Sequence, residues 1–459
     1  MHVNKSAALL LVLVFLTASC VSAVSPAESA ADATENSWAT KASMPQAISG
    51  VKAAVVNGKI YVIIGEANFE YNPDTDTWTP KKSMPTPRRW FGIAVYQNKI
   101  YTIGGRIIYK DPVNGSIISI ISNANEIYDP LTDTWETKKS MPTARDTLQA
   151  NVVNGKIYLV GGILSIDIQS VVDLKAAALN EVYDVNTDSW TTKQPLLYPV
   201  YGYASAVANS KIYVMGGANH TEPTNLTQIY DTEKDAWIFG PSLQTAVSGA
   251  AAGATTGIRA PERIYVIGGA PNIEATNVNQ VYDPQNNTWA LGEPMPTARS
   301  HLAIAVVNDQ LYAIGGRPYG IALPLNTNEQ YTPFGYGNIK PVISVMSPEN
   351  KMYNQSSVPL TFTVDKPVSW MQYSLDGQDN VTVTESTTLT DLPNGLHNIT
   401  IYAKYTEGSI GASENIAFTI NKPEPFPTTL VAASIAAVAV VGVGLLVFFK
   451  KRGKKGDKT

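Results

Sequence analysis

The sequence predicts an all-β protein with a six-bladed propeller (residues 36–336), a β-sandwich (residues 339–421) and a single transmembrane helix (residues 428–449). Three observations lead to this fold class. The phrase NEVYDVNTDSW recurs in five versions that end in Trp, and the phrase GKIYLVGGI recurs in six versions. One long segment near the C-terminal end carries no charge. Phrases repeated at this spacing indicate an array of similar units, and such a charge-free segment is typical of a membrane span.

The composition limits the classes of partner. The chain has 459 residues, a net charge of −4 and a pI near 5.7. No strongly basic surface is therefore expected, and nucleic acid is excluded as a partner.

The N-terminal residues 1–23 have the layout of a secretory signal peptide, with a lysine, an apolar run and small residues before a cleavage site after Ala23. A lipoprotein signal that uses Cys20 is the alternative. Cleavage after Ala23 would remove the only cysteine of the chain, so the exported domains are expected to fold without disulfides.

Each repeat unit carries two landmarks. The first is an apolar run that ends in Gly-Gly, as in KIYLVGG, and the second is a Tyr followed seven residues later by a Trp. The Tyr and Trp pairs are Tyr71 and Trp78, Tyr128 and Trp135, Tyr183 and Trp190, Tyr230 and Trp237, and Tyr282 and Trp289.

Each unit is expected to form four short strands. Asn-Gly or a similar pair joins the first two strands, because it supplies the positive φ angles of a tight hairpin. The third strand contains the Tyr, and the fourth opens with the Trp after a polar turn. A single sheet cannot cover both its faces, so the units are expected to stack around an axis, with Tyr and Trp against the neighbouring sheet.

These landmarks resemble the kelch repeat, whose hallmarks are a Gly-Gly pair, a Tyr and a Trp in this order. The resemblance covers residues 36–336 and implies a propeller like the central domain of galactose oxidase. The first unit departs from the pattern, because Ile64 replaces the first glycine and the loop that follows is nearly absent.

An incomplete repeat at each end predicts how the ring closes. Tyr331 of the last unit has no Trp seven residues later, whereas Trp38 stands before the first complete unit. The strand around Trp38 is therefore expected to pair with the strand around Tyr331, which leaves no open sheet edge.

Residues 339–421 lack these landmarks and predict about seven short strands of an antiparallel sandwich. The segment LPNGLHNITIYAKY resembles the corner of immunoglobulin-like folds, which implies Tyr402 as the corner tyrosine and Trp370 as a core residue. The segment that begins SPENKMYN is similar to spacer domains of archaeal cell-surface proteins. Residues 422–427 are proline-rich and predict a stiff stalk.

The apolar residues 428–449 extend about 33 Å as a helix at about 1.5 Å per residue, enough for a bilayer core of about 30 Å. Basic residues follow at 450–459 and predict a cytoplasmic tail. The predicted localisation is therefore the cell membrane, crossed once, with the N-terminal domains extracellular and the C-terminus cytoplasmic.

The sequence bears on three enzymatic functions found on propellers. The copper site of galactose oxidase needs a tyrosine crosslinked to cysteine, which the mature chain lacks, so no metal or other cofactor is predicted. The sialidase motif Ser-x-Asp-x-Gly-x-Thr-Trp is absent. No motif separates a kelch sugar mutarotase from a binding propeller, so a surface carbohydrate-active enzyme of this type is the alternative function.

Three arginines are candidate ligand-binding residues. In kelch adaptors of animals, arginines before the innermost strand line the face that binds acidic peptides. Arg88, Arg145 and Arg299 stand at one offset, eleven residues before the second strand of their units. They would hold carboxylates bidentately, or they would brace the blades by hydrogen bonds to carbonyls.

Trp90 and Tyr201 are candidates for stacking on sugar rings, with a place in the blade core as the alternative.

The loops after the glycine pairs of the second and third units are apolar for exposed loops and predict a contact surface. Glycosylation motifs occur at Asn114, Asn219, Asn225, Asn286, Asn354, Asn380 and Asn398.

The sequence thus predicts a cell-surface binding or adhesion protein for an extracellular protein or glycan. An architectural role in a surface layer is a further alternative.

Overall fold

The computed structural model describes residues 34–164, 175–220, 222–318, 323–365, 367–405, 409–423 and 428–453, and within the last range only the side chains of 436–450. The predicted signal peptide lies outside the described residues, as do most of the predicted stalk and of the basic tail.

The described residues form six four-stranded antiparallel sheets, which we call blades 1 to 6 in chain order. The strands are β1 (Ser37–Thr40) in blade 6; β2 (Lys52–Val56), β3 (Lys59–Ile64), β4 (Ala67–Asn72) and β5 (Thr77–Pro80) in blade 1; β6 (Gly92–Tyr96), β7 (Lys99–Ile103), β8 (Arg106–Lys110), β9 (Ile117–Ile121), β10 (Asn125–Asp129) and β11 (Thr134–Lys138) in and beside blade 2; and β12 (Gln149–Val153), β13 (Lys156–Val160), β14 (Asn180–Asp184) and β15 (Ser189–Thr192) in blade 3. They continue with β16 (Ala204–Ala208), β17 (Lys211–Met215), β18 (Ala218–Asn219), β19 (Glu222–Pro223), β20 (Thr227–Asp231) and β21 (Ala236–Gly240) in and beside blade 4; β22 (Ala251–Ala254), β23 (Ile264–Ile267), β24 (Asn279–Asp283) and β25 (Thr288–Leu291) in blade 5; and β26 (Ala303–Val307), β27 (Gln310–Ile314) and β28 (Asn328–Thr332) in blade 6. The predicted all-β class is confirmed.

The innermost strands stand side by side around a central channel. β2 contacts β6, β6 contacts β12, β12 contacts β16, β16 contacts β22, β22 contacts β26, and β26 contacts β2. The hydrophobic cores lie between neighbouring blades, as where Ile60 and Val62 of blade 1 pack with Tyr312 and Ile314 of blade 6. Each blade thus covers the face that its neighbour cannot cover alone.

The predicted pairing of the two chain segments at the ends of the repeat array is confirmed. β1 pairs antiparallel with β28, and Trp38 stands opposite Tyr331 in the register. The Tyr331 hydroxyl also donates a hydrogen bond of 2.6 Å to Asn36 Oδ1. Blade 6 is therefore a sheet of four strands whose outer strand comes from the N-terminal side.

The repeated Tyr-to-Trp phrase forms a clamp between neighbouring blades. In blade 3 the Tyr183 hydroxyl donates to Asp188 Oδ1 at 2.6 Å, and the same oxygen accepts the N–H of Lys139 at 3.1 Å. The Trp190 indole N–H donates to the Lys139 carbonyl at 3.0 Å. Lys139 follows the outer strand of blade 2. Blade 3 therefore forms hydrogen bonds with both the N–H and the carbonyl of one residue of the neighbouring blade.

This clamp recurs around the ring. The other indole-to-carbonyl bonds, of 2.8 to 2.9 Å, join Trp38 to Glu293, Trp78 to Ala42, Trp135 to Lys82, Trp237 to Gln194, and Trp289 to Pro241. The phrase recurs because each described blade boundary uses the same Tyr and Trp against its neighbour, with Asn in place of Asp at two of the six boundaries.

Glycine is required at two kinds of turn. Asn154 and Gly155 have φ angles of 49° and 73° between β12 and β13, which confirms the predicted tight hairpin. Gly161, after β13, has a φ of 59°, and a Cβ atom there would lie 2.6 Å from the Val200 carbonyl oxygen. The glycine pairs therefore let the backbone of the next loop approach closely.

Residues 343–420 form two further sheets that share one core. Their strands are β29 (Ile343–Ser347), β30 (Met352–Tyr353), β31 (Val358–Val364), β32 (Val368–Leu375), β33 (Val381–Val383), β34 (Thr387–Leu389), β35 (Gly395–Tyr405), β36 (Ile410–Ala412) and β37 (Ile416–Ile420). Leu360 and Phe362 of the sheet β29-β31-β34 pack with Ile401 and Phe418 of the larger sheet. The region is a sandwich, and its immunoglobulin-like character stays a prediction.

The predicted roles of two aromatic residues in this sandwich differ from the structure. Trp370 and Tyr402 are half-buried and lie outside the described core cluster. The buried tyrosine is Tyr405, whose hydroxyl donates to Asp365 Oδ1 at 3.2 Å. Strand alternation explains the difference, because Tyr402 stands on the opposite face of β35 from Ile401, Ala403 and Tyr405.

The prediction of a single-pass membrane anchor is wrong. Helix α1 runs from Thr428 to Gly453, but in the part of the chain that the structure describes no helix is long and apolar enough to cross a membrane. The predicted single-pass localisation, with its extracellular and cytoplasmic sides, is withdrawn with the anchor.

Candidate functional site

The three candidate arginines are fully buried inside their blades. Arg88, Arg145 and Arg299 each have 0% exposure. Each forms an ion pair with a glutamate on the third strand of its own blade; the pairs are Arg88 with Glu126 at 2.7 Å, Arg145 with Glu181 at 2.9 Å, and Arg299 with Glu329 at 2.7 Å.

Further bonds hold each guanidinium in place. Arg88 Nη2 donates to the Thr102 hydroxyl at 3.0 Å, and its Nη1 donates to the Ala124 carbonyl at 3.3 Å. Burial lowers the pKa of the Arg88 guanidinium, and the charge of Glu126 opposes that shift. The side chain therefore ties the loop before β6 to two other strands of blade 2.

This geometry favours the bracing interpretation of the arginines. A ligand at the channel mouth would reach the guanidiniums only if a blade opened, because the guanidiniums have no exposed surface. Sequence reasoning missed the glutamate partners. The available signal was a Glu two residues before the repeat Tyr, which occurs in the same three units as the Arg.

The structure places the two candidate aromatic residues near the channel, on different blades. Trp90 is half-buried at the start of blade 2, with a φ of 57° and the Arg106 guanidinium 5.8 Å from its ring centroid. Tyr201 is half-buried before blade 4, and its hydroxyl donates to the His220 carbonyl. The structure does not bring the two rings together into one stacking platform.

A cleft of about 550 Å³ opens between blades 1 and 2. It lies where the loop after β3 is only Gly65 and Glu66, so the short loop that distinguishes the first repeat leaves this space uncovered. Its lining includes the apolar side chains of Ile48, Phe69 and Ile108. The sequence indicated the place of this cleft only through the missing loop.

Three basic side chains line the cleft. Lys81 pairs with Glu70 at 3.0 Å, and Arg106 pairs with the fully buried Asp146. Arg89 is exposed and makes no ion pair with the described residues. Its guanidinium therefore remains available for a carboxylate from outside the chain.

An apolar hairpin flanks the cleft. β8 and β9 pair from Arg106 to Ile121, beside blade 2. Its exposed apolar side chains are Ile108, Tyr109, Val113, Ile117 and Ile120. The predicted contact loop of the second unit is thus an apolar hairpin at the surface, while most of the corresponding loop of the third unit, residues 165–174, lies outside the described residues.

The central channel offers no acid–base pair among its described lining residues. Lys52, Gln149 and His301 are its polar side chains of greatest reach, and the described lining contains no Asp or Glu. Asp146, which precedes the lining residue Thr147, is buried against Arg106 and the Thr147 hydroxyl. A carbohydrate-active site of the mutarotase type therefore has no candidate carboxylate here.

The glycosylation motifs lie mostly at the surface of the described residues. Asn114, Asn225, Asn286, Asn354 and Asn380 are exposed, whereas Asn219 and Asn398 are half-buried. Within the described ranges no group of three or more His, Cys, Asp or Glu side chains is placed to hold a metal ion.

Comparison with known proteins agrees with the blade geometry. Residues 126–316 match the model of the KLHDC2/KLHL20/DRC7 Kelch-repeats domain, and residues 87–142 match the model of the Kelch motif. This chain carries kelch repeats. The Arg–Glu pairs of blades 2 and 3 and the hairpin β8–β9 all fall within the matched residues.

Curated relatives share these repeats at modest identity. Kelch-like protein 23 of Pongo abelii is 29% identical over 253 residues, which cover 45% of this chain and 43% of the relative. Kelch-like protein 40 of Xenopus laevis is 27% identical over 207 residues, which cover 45% of this chain and 31% of the relative. Kelch-like protein terF of Aspergillus terreus is 28% identical over 207 residues, with 42% and 43% covered. The matches span less than half the length of these kelch relatives.

A solved structure shares the fold. The structure of YjhT superposes with a TM-score of 0.54 and 17% identity, and the superposition covers 63% of this chain and 96% of that one. At this identity the likeness bears on the fold alone, and it agrees with a β-propeller.

Proposed function

We propose that this chain is a binding protein whose six-bladed kelch propeller recognises a protein ligand at the cleft between blades 1 and 2. The single observation that carries the proposal is the cleft of about 550 Å³ with the apolar hairpin β8–β9 beside it. The C-terminal sandwich is, in this proposal, an immunoglobulin-like spacer rather than part of the binding surface.

The chemistry of the cleft favours a peptide segment over a glycan. Ile108 is 40% exposed and lines the cleft together with Arg89, and Tyr109, the next residue of β8, is 45% exposed. Exposed apolar groups beside a guanidinium suit a peptide segment with apolar and acidic side chains. Arg binds carboxylates bidentately, and apolar contacts drive association. Kelch domains are typically protein-interaction modules, which supports the same class of ligand.

The proposal can be tested without a known partner. A phage-displayed library of random peptides would be selected on the folded protein, and the affinity of enriched peptides measured by fluorescence anisotropy. We expect peptides that combine Asp or Glu with apolar residues. Arg89→Ala should weaken the binding of these peptides about tenfold, which corresponds to about 1.4 kcal/mol, and the double change Ile108→Ser with Tyr109→Ser should have an effect of the same size.

Leu131→Ser is the matched control, because Leu131 is an equally apolar, 93% exposed residue in the outer turn of blade 2. The Leu131→Ser protein should bind the enriched peptides with the same affinity as the unmodified protein. Selection that yields no peptide, or peptides that bind the hairpin and Arg89 variants unchanged, would refute the cleft as the recognition site.

A further inference from the structure

The innermost strands begin with residues in equivalent places, and two of them differ from the rest. These first residues are Lys52, Gly92, Gln149, Ala204, Ala251 and Ala303. Glycine and alanine at four of the six places leave the channel open, and a cavity of about 140 Å³ remains there. Only blades 1 and 3 place a long polar side chain into this space.

The amine of Lys52 has no counter-ion among the described residues. Its Nζ lies 2.9 Å from Gln149 Oε1 and 3.5 Å from the Leu148 carbonyl oxygen, which are both neutral acceptors. No Asp or Glu is among the described residues that line the cavity. The Lys52 side chain is half-buried, and its two neutral acceptors leave one of the three N–H donors for a further partner.

A collar of backbone hydrogen bonds, here called the neck, narrows the channel beside this cavity. The neck residues, all with left-handed φ angles, are Gly50, Trp90, Thr147, Gly202, Gly249 and His301. In five of them the N–H donates to the carbonyl of the neck residue in the preceding blade; the donors are Gly50, Thr147, Gly202, Gly249 and His301. The neck therefore has a fixed backbone, and only its side chains can vary its width.

Two aromatic rings fill the neck by lying on glycines of the adjacent blades. A Cβ atom on Gly50 would lie 3.0 Å from the Trp90 indole nitrogen, and one on Gly249 would lie 3.0 Å from His301 Cε1. A second cavity of about 50 Å³ runs between these rings and connects to Lys52 and Gln149. The site thus has an apolar, aromatic entrance and a cationic interior.

Among the described residues that line this interior, Lys52 is the cationic side chain and His301 is the other group that can take up a proton. Burial lowers the pKa of Lys52 to about 8, which leaves the amine mostly protonated at pH 7. Burial, together with the charges of Arg317 and Lys52, lowers the pKa of His301 to about 4, so the imidazole is neutral. One cation and a neutral imidazole suit a single negative charge better than a dianion.

We propose that the central channel binds one small carboxylate, held by Lys52 beside Gln149 and enclosed by Trp90 and His301. The cavity accepts a few heavy atoms, and its lining beyond the amine combines Gln149 and Ser205 with the apolar Val51, Ala251 and Leu302. A short alkyl carboxylate matches the charge, and its chain can contact the apolar part of the lining. This site is separate from the cleft between blades 1 and 2, so either can exist without the other.

Acetate and propionate binding to the whole chain would test this site by isothermal titration calorimetry at pH 7, with chloride as the inorganic anion of equal charge. We expect saturable binding at one site per chain, tighter for propionate, and at least tenfold weaker in Lys52→Met. Lys156→Met is the matched control, because Lys156 is an exposed lysine of blade 3 and its loss should leave the affinity unchanged.

A second measurement keeps the proposal falsifiable if Lys52→Met folds poorly. The indole N–H resonances of the eight tryptophans, labelled with ¹⁵N, would be followed as propionate is added to the unmodified protein. One resonance should shift, and Trp90→Phe should identify it by its loss. Equal binding of chloride and propionate, unchanged binding in Lys52→Met, or no shift of the Trp90 resonance would each overturn the carboxylate site.

Discussion

Blades 3 and 4 hold the same loop in the same place by different chemistry. In blade 3, Arg145 forms a buried ion pair with Glu181 on the third strand, at 2.9 Å. In blade 4, Val200 stands where the arginine would be, and Gln228 replaces the glutamate. The Gln228 amide accepts the N–H of Tyr198 at 2.8 Å and donates to the Tyr198 carbonyl at 2.9 Å.

The two residues of each arrangement occur together in the same blade. Arg with Glu occurs in blades 2, 3 and 6, and Val with Gln occurs in blades 4 and 5; the second Val–Gln blade has Val247 and Gln280. The amide pair satisfies both of its polar groups, whereas Arg145 Nε and Nη1 have no hydrogen-bond partner among the described residues. A buried charge pair is therefore one way to fasten the loop, and not necessarily the more stabilising one.

Blade 1 has neither solution, and the cleft opens there. Its residues at the two places are Ile48 and Phe69, which line the cleft together with Gln46. No side-chain bond between these places ties the loop to the third strand of the blade in the described residues. The difference between the braced blades and blade 1 indicates that the missing brace and the short loop after β3 together leave the cleft open.

Breaking the ion pair of blade 3 should have the largest effect. Arg145→Val leaves the Glu181 carboxylate buried without its cation, and removal of one partner of a buried pair typically costs about 3–5 kcal/mol. Urea unfolding followed by tryptophan fluorescence would measure the loss in the free energy of unfolding.

The matched control converts blade 3 to the chemistry of blade 4. Arg145→Val with Glu181→Gln removes both charges, and the new amide can bond the Thr143 backbone as Gln228 bonds that of Tyr198. Stability should return to within about 1 kcal/mol of the unmodified protein, or exceed it. A double variant as unstable as Arg145→Val alone would show that the two solutions are not interchangeable.

Removing the amide brace of blade 4 should have an intermediate effect. Gln228→Ala leaves the N–H and carbonyl of Tyr198 without their partners, which typically costs about 1–3 kcal/mol in total. The same urea titration would measure it, with Gln285→Ala, an exposed turn residue of blade 5, as the control that should change nothing. A loss as large as that of Arg145→Val would mean that charge does not distinguish the braces.

The fold was predictable because its signals are local and repeated. The spacing of Tyr183 and Trp190 recurs in each complete unit, and the orphan Trp38 and Tyr331 reveal the closing strand. The sequence also showed that Arg145 stands at the same distance before the second strand as the other two arginines, but it did not show that the side chain is buried. Whether a guanidinium points to solvent or into a blade depends on Glu181, which lies on a different strand.

The candidate site was less predictable because it depends on what neighbouring blades leave open. The cleft exists because the loop after Ile64 is short and the hairpin from Arg106 stands beside it, and no single segment records that combination. Lys52 gave no repeat signal, since no other innermost strand begins with a lysine among the described blades.

The smallest expected effect concerns the clamps between blades, where the chain again uses two chemistries. Asp188 accepts the Tyr183 hydroxyl and a backbone N–H, and these bonds hold the pKa of its carboxyl below the ordinary value of 3.8. In blade 5 Asn287 takes its place, and the facing Pro241 has no N–H to donate.

Asp188→Asn should therefore cost about 1 kcal/mol or less at pH 7, because an amide oxygen can accept the same two bonds. A carboxyl with a lowered folded pKa stabilises the fold above its unfolded pKa, near 3.8, and loses that contribution as pH falls through the folded pKa. The difference in stability between the two proteins should thus shrink below pH 4, as measured by urea unfolding at pH 7, 4 and 2.5. A difference that stays constant across this range would show that the charge of Asp188 does not contribute to stability.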